Sequence, residues 1–341
     1  MPRQDNAARH NSAATVVNPL ETLSRLLQDD MKKVNALILQ NMQSSVPLIP
    51  QLASYLIAAG GKRIRPLLTL ACTQMYGGDM TRAHRLAAAV EFIHTATLLH
   101  DDVVDESGER RGQDTANLIF GNQASVLVGD FLFSRSFQLM VQEGSLDVLR
   151  ILSDAAAIIA QGEVMQLSTT GNLETTMDNY IDVIRAKTAA LFAAACEVGP
   201  VVADQAPAAA QAMAEYGMNL GIAFQIIDDT LDYAGGQEKI GKTVGDDFRE
   251  GKMTAPVLIA LQRADAGEKA FWARTIKDKN QEKTDLAAAQ GILARHDAIN
   301  LSMAMARSYA QKARLALAEA PDGEIRALLD DIVTFTIERE F

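Results

Sequence analysis

Two aspartate-rich stretches carry the strongest chemical signal in this chain. One is HDDVVDE, with Asp101, Asp102 and Asp105; the other is QIIDDTLDY, with Asp228, Asp229 and Asp232. On a helix, residues four apart share a face, so Asp101 points with Asp105 and Asp228 with Asp232. Each stretch closes a long apolar run and leads into glycine, Gly108 in one case and Gly235-Gly236 in the other. Carboxylates at a helix C-terminus oppose the helix dipole, and like charges four apart cost roughly 0.2–0.5 kcal/mol per pair. One such cluster reads as a solvated helix end. Two matching clusters read as a cation site, because a divalent ion relieves both penalties. An oxygen-only donor set, without cysteine or paired histidine, selects magnesium or calcium, and magnesium is usually shared between carboxylates and substrate phosphates.

Basic residues answer that charge in three places. GGKRIRP carries Lys62, Arg63 and Arg65 just before a helix that opens at Pro66, an arrangement suited to an anion. Arg110 and Arg111 follow the first acids closely, where guanidinium forks can grip phosphate oxygens. Lys242 and Lys252 lie in the glycine-rich connector Gly235–Met253, close to Asp246 and Asp247. Each group alone has a plain reading as solvated surface. Lys187, set among alanines in Ile184–Ala195, reads either as a ligand for an anion or as a lysine snorkelling from a core edge. His94 shares the Asp101 face and Gln225 stands three residues before Asp228; packing roles are open to both. Glu91 and His94 form one Glu-x-x-His pair of the di-iron kind, but the second such pair is missing. Neither acidic cluster has the twelve-residue loop of a calcium EF-hand.

The elements that must hold these groups are helices. Alanine and leucine abound, and only 9 prolines interrupt 341 residues, so the composition favours an all-α chain. The 3.6-residue apolar period predicts helices over Leu20–Val46, Ile49–Ala59, Pro66–Met75, Arg82–Glu106, Gln113–Gln142, Asp147–Leu167, Thr176–Val198 and Pro207–Ala234. Further helices are expected over Thr254–Ala264, Phe271–Lys277, Leu286–Arg295, Asn300–Ala320 and Glu324–Glu340. No alternating strand pattern is visible. Residues 1–17 are polar and read as a flexible tail before one large bundle, 18–341. The net charge of −11 argues against a nucleic-acid partner. Cys72 and Cys196, isolated in apolar helices, suit a reducing cytoplasm. The longest apolar run, Thr188–Ala203, is interrupted by Glu197 and Gly199-Pro200 and is too short to span a bilayer, so a soluble cytoplasmic protein is expected.

GGKRIRP, HDDVVD followed by RR, GEVMQ, KTAALF, GIAFQIIDDTLDY and GKTVGDDFREGKMTAP resemble, in order, the signature regions of trans-isoprenyl diphosphate synthases of the long-chain octaprenyl/decaprenyl type. The resemblance implies the all-α isoprenoid synthase bundle around an apolar cavity, a homodimer, and about three magnesium ions per site. Asp101, Asp105 and Asp228 would ligate magnesium, with Asp102, Asp229 and Asp232 completing or supporting the cluster. Lys62, Arg65, His94 and Arg111 would bind isopentenyl diphosphate. Arg110, Lys187, Gln225, Lys242 and Lys252 would hold the allylic diphosphate, farnesyl diphosphate being expected, while Thr188 steadies developing positive charge.

Product length follows from the same resemblance. A helical turn, roughly 5 Å, approximates one extended isoprene unit, so the growing tail should run along the helix that carries Asp101. Ala96 and Thr97 lie about one turn before that residue, where shorter-chain relatives resemble a plugged path. Phe133, Phe137 and Met140 are floor candidates, although ordinary core packing explains them equally well. The expectation is a C40–C50 product, decaprenyl preferred, for a ubiquinone side chain, with peripheral membrane contact at most. The competing readings are a non-catalytic partner subunit of a heteromeric synthase, a C15–C20 synthase and a terpene cyclase.

Overall fold

The computed structural model describes residues 18–58, 61–110, 112–143, 145–234 and 244–338. The expected tail, 1–17, lies outside them, as do Gly60, Arg111 and Lys242.

The chain is helical, as the composition predicts, but four of the expected helices are broken, one of them Phe271–Lys277, which straddles a helix end at Trp272 and a π turn over Ala273–Lys277. Leu20–Val46 is two helices, α1 (Pro19–Leu26) and α2 (Gln28–Asn41), separated at Leu27. Asn18 caps α1 by accepting from the Leu20 amide, and Pro19 stands where a missing N–H costs nothing. α3 (Leu48–Ala58) and α4 (Ile64–Met75) follow, with Arg63 in the left-handed region at the start of α4. α5 (Met80–Val104), capped by Asp79, is buried over Leu86–Ile93; each large apolar side chain fully withdrawn there contributes about 1.5–3 kcal/mol.

The second broken helix is Gln113–Gln142. Its start is a two-stranded antiparallel ribbon, β1 (Glu109–Arg110) and β2 (Gln113–Asp114), with Glu109 opposite Asp114. Local bonds override helix propensity here. The Thr115 hydroxyl donates to the Ser107 carbonyl, and the Asn117 amide donates to the carbonyls of Asp102 and Ser107. Those bonds fold the chain back onto the end of α5. α6 (Ala116–Phe120) and α7 (Asn122–Glu143) come after it. α7 runs antiparallel to α5: His100 bonds the Val126 carbonyl at one end and Arg82 pairs with Glu143 at the other. By length and composition α7 could pass for a membrane span, yet it packs along α5 and 44% of its most apolar window is buried.

Next come α8 (Leu146–Thr169) and α9 (Met177–Ile184). The third break follows, because Thr176–Val198 contains a five-residue π turn, Arg185–Ala189, ahead of α10 (Ala190–Val202). The run that follows the turn, Ala189–Cys196, is apolar all round and gives no phase signal by which an inserted residue would show. α11 (Pro207–Ala234) is the 28-residue helix expected. Within the connector, α12 (Asp246–Glu250) forms; then come α13 (Ala255–Arg263), α14 (Ala266–Trp272), α15 (Asp285–Arg295), α16 (Ala298–Leu317) and α17 (Glu324–Ile337).

Buried side chains form two clusters, and α11 serves both. Met213, Tyr216, Leu220 and Ala223 face the one built on α4, α5, α7 and α10. Ile222, Ile226 and Leu231 face the one built on α9, α13 and α16, which includes Trp272. At Gly221 a Cβ would lie 2.7 Å from the Ala189 Cα, so α11 meets the π turn backbone to backbone. That contact fixes α11 against the segment that carries Lys187 and Thr188.

Candidate active site

The first acidic cluster is held by cations. Asp101 accepts from the Lys187 ammonium at 2.9 Å. Asp102, almost wholly buried, accepts from the Arg110 guanidinium at 2.8 Å. Asp105, the C-cap of α5, faces the Lys252 ammonium at 3.4 Å. Burial, the largest single influence, pushes the Asp101 carboxyl up, but the Lys187 charge together with hydrogen bonds from Glu163 and Lys187 holds the group below the usual range. At Asp102 burial prevails over Arg110, and the carboxyl is raised.

In the second cluster, Asp229 and Asp232 accept from neutral donors. Asp229 is buried, and accepts from the Tyr180 hydroxyl at 2.6 Å and from the Gln225 amide at 2.7 Å. Burial raises its pKa to about 6, against the pull of those two bonds. Asp232 accepts from the backbone amides of Gly245, Asp246 and Asp247, at 3.0–3.3 Å, tying the start of α12 to the end of α11. Asp228, half-buried, immediately precedes Asp229 and lies one turn before Asp232 on the helix.

Two features join the clusters. In the π turn, consecutive side chains serve opposite sides: Lys187 reaches Asp101, while the Thr188 hydroxyl donates to Gln225 at 2.8 Å, which in turn holds Asp229. A π turn offsets neighbouring side chains from the α-helical register, which is one reason such turns recur at functional sites. Lys252 is the second link. It contacts Asp105, Glu250 and, at 4.0 Å, Asp247, and its charge also lowers the Asp229 carboxyl. Asp247 itself is raised well above the ordinary range, by burial and then by Asp229 and Asp232.

The donor set fits a hard divalent cation. It consists of carboxylates alone, and the three most firmly engaged (Asp102, Asp229 and Asp232) already serve Arg110, Tyr180 with Gln225, and backbone amides. Asp101, Asp105 and Asp228 are the three that the family resemblance would have ligate the ion. Among the described residues no three acids or histidines close into a ready-made cage; lysines stand between the carboxylates. Ions shared with a phosphate need no such cage.

Of the other expected binding residues, Arg65 at the start of α4 and His94 on α5 meet. Arg65 donates to His94 Nε2 at 3.2 Å, which fixes that ring nitrogen as an acceptor, and the guanidinium stacks 4.4 Å from the Phe192 ring centroid. Glu91 is bound by Arg63, so the Glu91–His94 pair is committed to arginines rather than to iron. Lys62 is exposed nearby. A cavity of about 60 Å³, lined by Arg63, His94, Asp102, Arg110, Phe92 and Leu98 among others, opens here; it has room for a few waters. Ala96, Phe133, Phe137 and Met140 do not line it. Ala96 and Met140 are buried, the Thr97 hydroxyl donates to the His94 carbonyl, and Phe133 and Phe137 stack edge-to-face at 5.4 Å. The antiparallel register of α7 sets Phe133, Phe137 and Met140 progressively farther from Asp101.

Four groups in this neighbourhood were given no role by the sequence. Glu163, in the GEVMQ stretch, lies 2.7 Å from the Lys187 ammonium, and burial raises it to about 7. Asp247 and Glu250 surround Lys252. Tyr180 lies 49 positions from the acid it serves, and no local pattern marks it.

A model of the polyprenyl synthetase family matches residues 46–293, well over half of the chain. The chain belongs to the polyprenyl synthetase family. It is accordingly a prenyltransferase of all-α isoprenoid synthase architecture. This synthetase is 42% identical to octaprenyl diphosphate synthase of Haemophilus influenzae over 94% of its own length and 98% of the relative's. Two crystal structures superpose closely. A decaprenyl diphosphate synthase from Rhodobacter capsulatus gives a TM-score of 0.90 at 51% identity, covering 94% of this chain and 99% of that one. A polyprenyl synthase from Caulobacter crescentus, complexed with calcium and isoprenyl diphosphate, gives 0.90 at 49% identity, covering 94% and 98%.

Proposed function

We propose that this synthetase elongates an allylic diphosphate, farnesyl diphosphate by preference, through successive 1'-4 condensations with isopentenyl diphosphate. The product is C40–C50, decaprenyl before octaprenyl, and supplies a ubiquinone side chain. The observation that carries the reading is the π turn, which joins two acid clusters far apart in sequence through adjacent side chains. The high identity to octaprenyl and decaprenyl synthases supports the long product.

Asp101, Asp105 and Asp228 would hold magnesium, about three ions per site; bound magnesium supplies positive charge against a departing diphosphate. The chain's own groups do the remainder. Lys187, Lys252, Arg110 and Lys242 hold the allylic head, and Gln225 keeps Thr188 oriented toward the carbon that becomes positive. Lys62, Arg65, His94 and Arg111 hold the isopentenyl head so that its double bond reaches that carbon. The apolar side chains behind Ala96 exclude water from the cation. The proton released as the new double bond forms passes to the departed diphosphate, so no histidine base is required.

Exposed apolar side chains on α6–α8, such as Leu118, Leu127, Val141 and Val164, support a homodimer through that face. The enzyme is cytoplasmic in this reading, touching the membrane at most peripherally to release its product.

The test is an assay of the purified chain alone with magnesium, farnesyl diphosphate and labelled isopentenyl diphosphate, followed by chromatography of the dephosphorylated products. Alcohols of C40–C50 are expected. No elongation would favour a non-catalytic partner subunit, a product that stops at C15–C20 a short-chain enzyme, and a cyclic hydrocarbon a cyclase.

A further inference from the structure

The Lys187 ammonium has two carboxylate partners, and only one of them belongs to the acidic clusters. Asp101 lies 2.9 Å away on α5 and Glu163 lies 2.7 Å away on α8. The second contact depends on an unusually close helix approach. A Cβ at Gly162 would meet the Lys187 backbone nitrogen at 2.7 Å and the Ala186 Cβ at 2.9 Å, so α8 rests directly on the π turn. The next residue, Glu163, is thereby brought to the ammonium. Lys187 and Asp101 are each mostly buried, with side chains 19% and 14% exposed.

This geometry poses a competition. An ion that takes Asp101 removes one partner of a lysine that water reaches poorly, and a poorly solvated ammonium left with no counter-charge is costly. With Asp101 as its sole partner, the lysine would resist the ion. With a second carboxylate it can yield Asp101 and remain paired, still beside the place where the ion and a diphosphate would meet.

We infer that Glu163 is a positioning residue that retains the Lys187 ammonium when Asp101 is surrendered to a divalent cation, and so presents it to the diphosphate head. The inference rests on the function proposed above for its substrate, but on distances alone for the exchange. Glu163 touches no substrate in this account; it hydrogen-bonds Asp101 directly and reaches the diphosphate only through Lys187.

The experiment compares the full-length wild type with Glu163→Gln, which keeps the shape and loses the charge, and with Glu163→Asp. The first readout needs no turnover: binding of manganese together with inorganic pyrophosphate, followed by electron paramagnetic resonance and calorimetry. Glu163→Gln should weaken it by about tenfold, in the range expected when a supporting partner of a metal site is lost, and Glu163→Asp should recover part of the loss. In elongation assays Glu163→Gln should raise KM for the allylic diphosphate and the magnesium concentration for half activity, with a smaller change in kcat. In a Lys187→Gln background the Glu163→Gln change should have almost no further effect on pyrophosphate binding. Unaltered manganese and pyrophosphate binding in Glu163→Gln overturns the inference, as does a fully additive double variant. Circular dichroism melts that match the wild type identify any loss as local. Should the wild type fail to elongate while the binding results hold, the function is wrong and the lysine exchange stands.

Discussion

The two acid clusters have the same sequence pattern and are held by different kinds of donor. At the end of α5 every aspartate faces a cation: Lys187, Arg110 or Lys252. At the end of α11 a phenol and an amide donate to Asp229, and three backbone N–H groups donate to Asp232. A lysine can be exchanged for another cation or turned toward an anion; a backbone amide cannot leave. The α5 cluster is therefore the exchangeable half of the site and the α11 cluster the fixed half. A rigid wall facing a wall of mobile charge is what an enzyme needs if it must grip a diphosphate, let it depart and accept another at every cycle.

The largest effect should come from the exchangeable half. Asp101→Asn leaves a hydrogen-bonding group but removes the charge, and kcat should fall by about 10²–10³, the usual range when one preorganised electrostatic contact is lost. Stability should change little, because the Lys187 ammonium retains Glu163. The fixed half should respond in the opposite sense. Tyr180→Phe removes one donor from buried Asp229, which should cost about 1–3 kcal/mol of stability and only about tenfold in kcat. Thermal melts set beside turnover numbers would break the comparison if the two variants fell in the same proportion on both scales.

A third pair of variants asks which helix the growing tail follows. Ala96 lies five residues before Asp101, and Ala223 lies five before Asp228. Both are buried. In the proposed reading only α5 lines the tail, so Ala96→Phe should shorten the product sharply. Ala223→Phe should overpack the core by about 1–3 kcal/mol without altering product length. Product chromatography decides: an unchanged distribution in Ala96→Phe removes the ruler from α5.

Much of this contrast could not be read from residue order. The aspartate trios, their faces and the long α11 helix were legible, because each rests on helical spacing or on short motifs. The partners of the trios were not. Tyr180 reaches Asp229 only because α9 packs beside α11, and Glu163 reaches Lys187 only because Gly162 allows two backbones to touch. The π turn was hidden for a different reason. From Ala186 to Ala195 nearly every face is apolar, and a pattern with no polar side cannot reveal where its phase slips. The ribbon after α5 was hidden as well, since what ends the helix is a set of hydrogen bonds returning to Asp102 and Ser107.

The smallest effect separates pairing from burial, the two influences that oppose one another at Asp101. Glu268, on α14 and remote from both clusters, accepts from His296 at 2.7 Å and from Arg295 at 2.8 Å. There the hydrogen bonds from His296 and then Arg295 outweigh desolvation and hold the carboxyl at about 2, below its ordinary 4.5. A depressed acid contributes stability above its unfolded pKa and loses that contribution as pH falls toward the folded one. Glu268→Gln should therefore lower the melting temperature by about 2 °C or less near neutral pH. The difference from wild type should close as the pH drops from about 5 toward 3. A gap that stayed constant across that window would mean the glutamine had disturbed packing. The cation-paired aspartates of α5 would then lose their reference for what pairing alone does to a carboxylate in this fold.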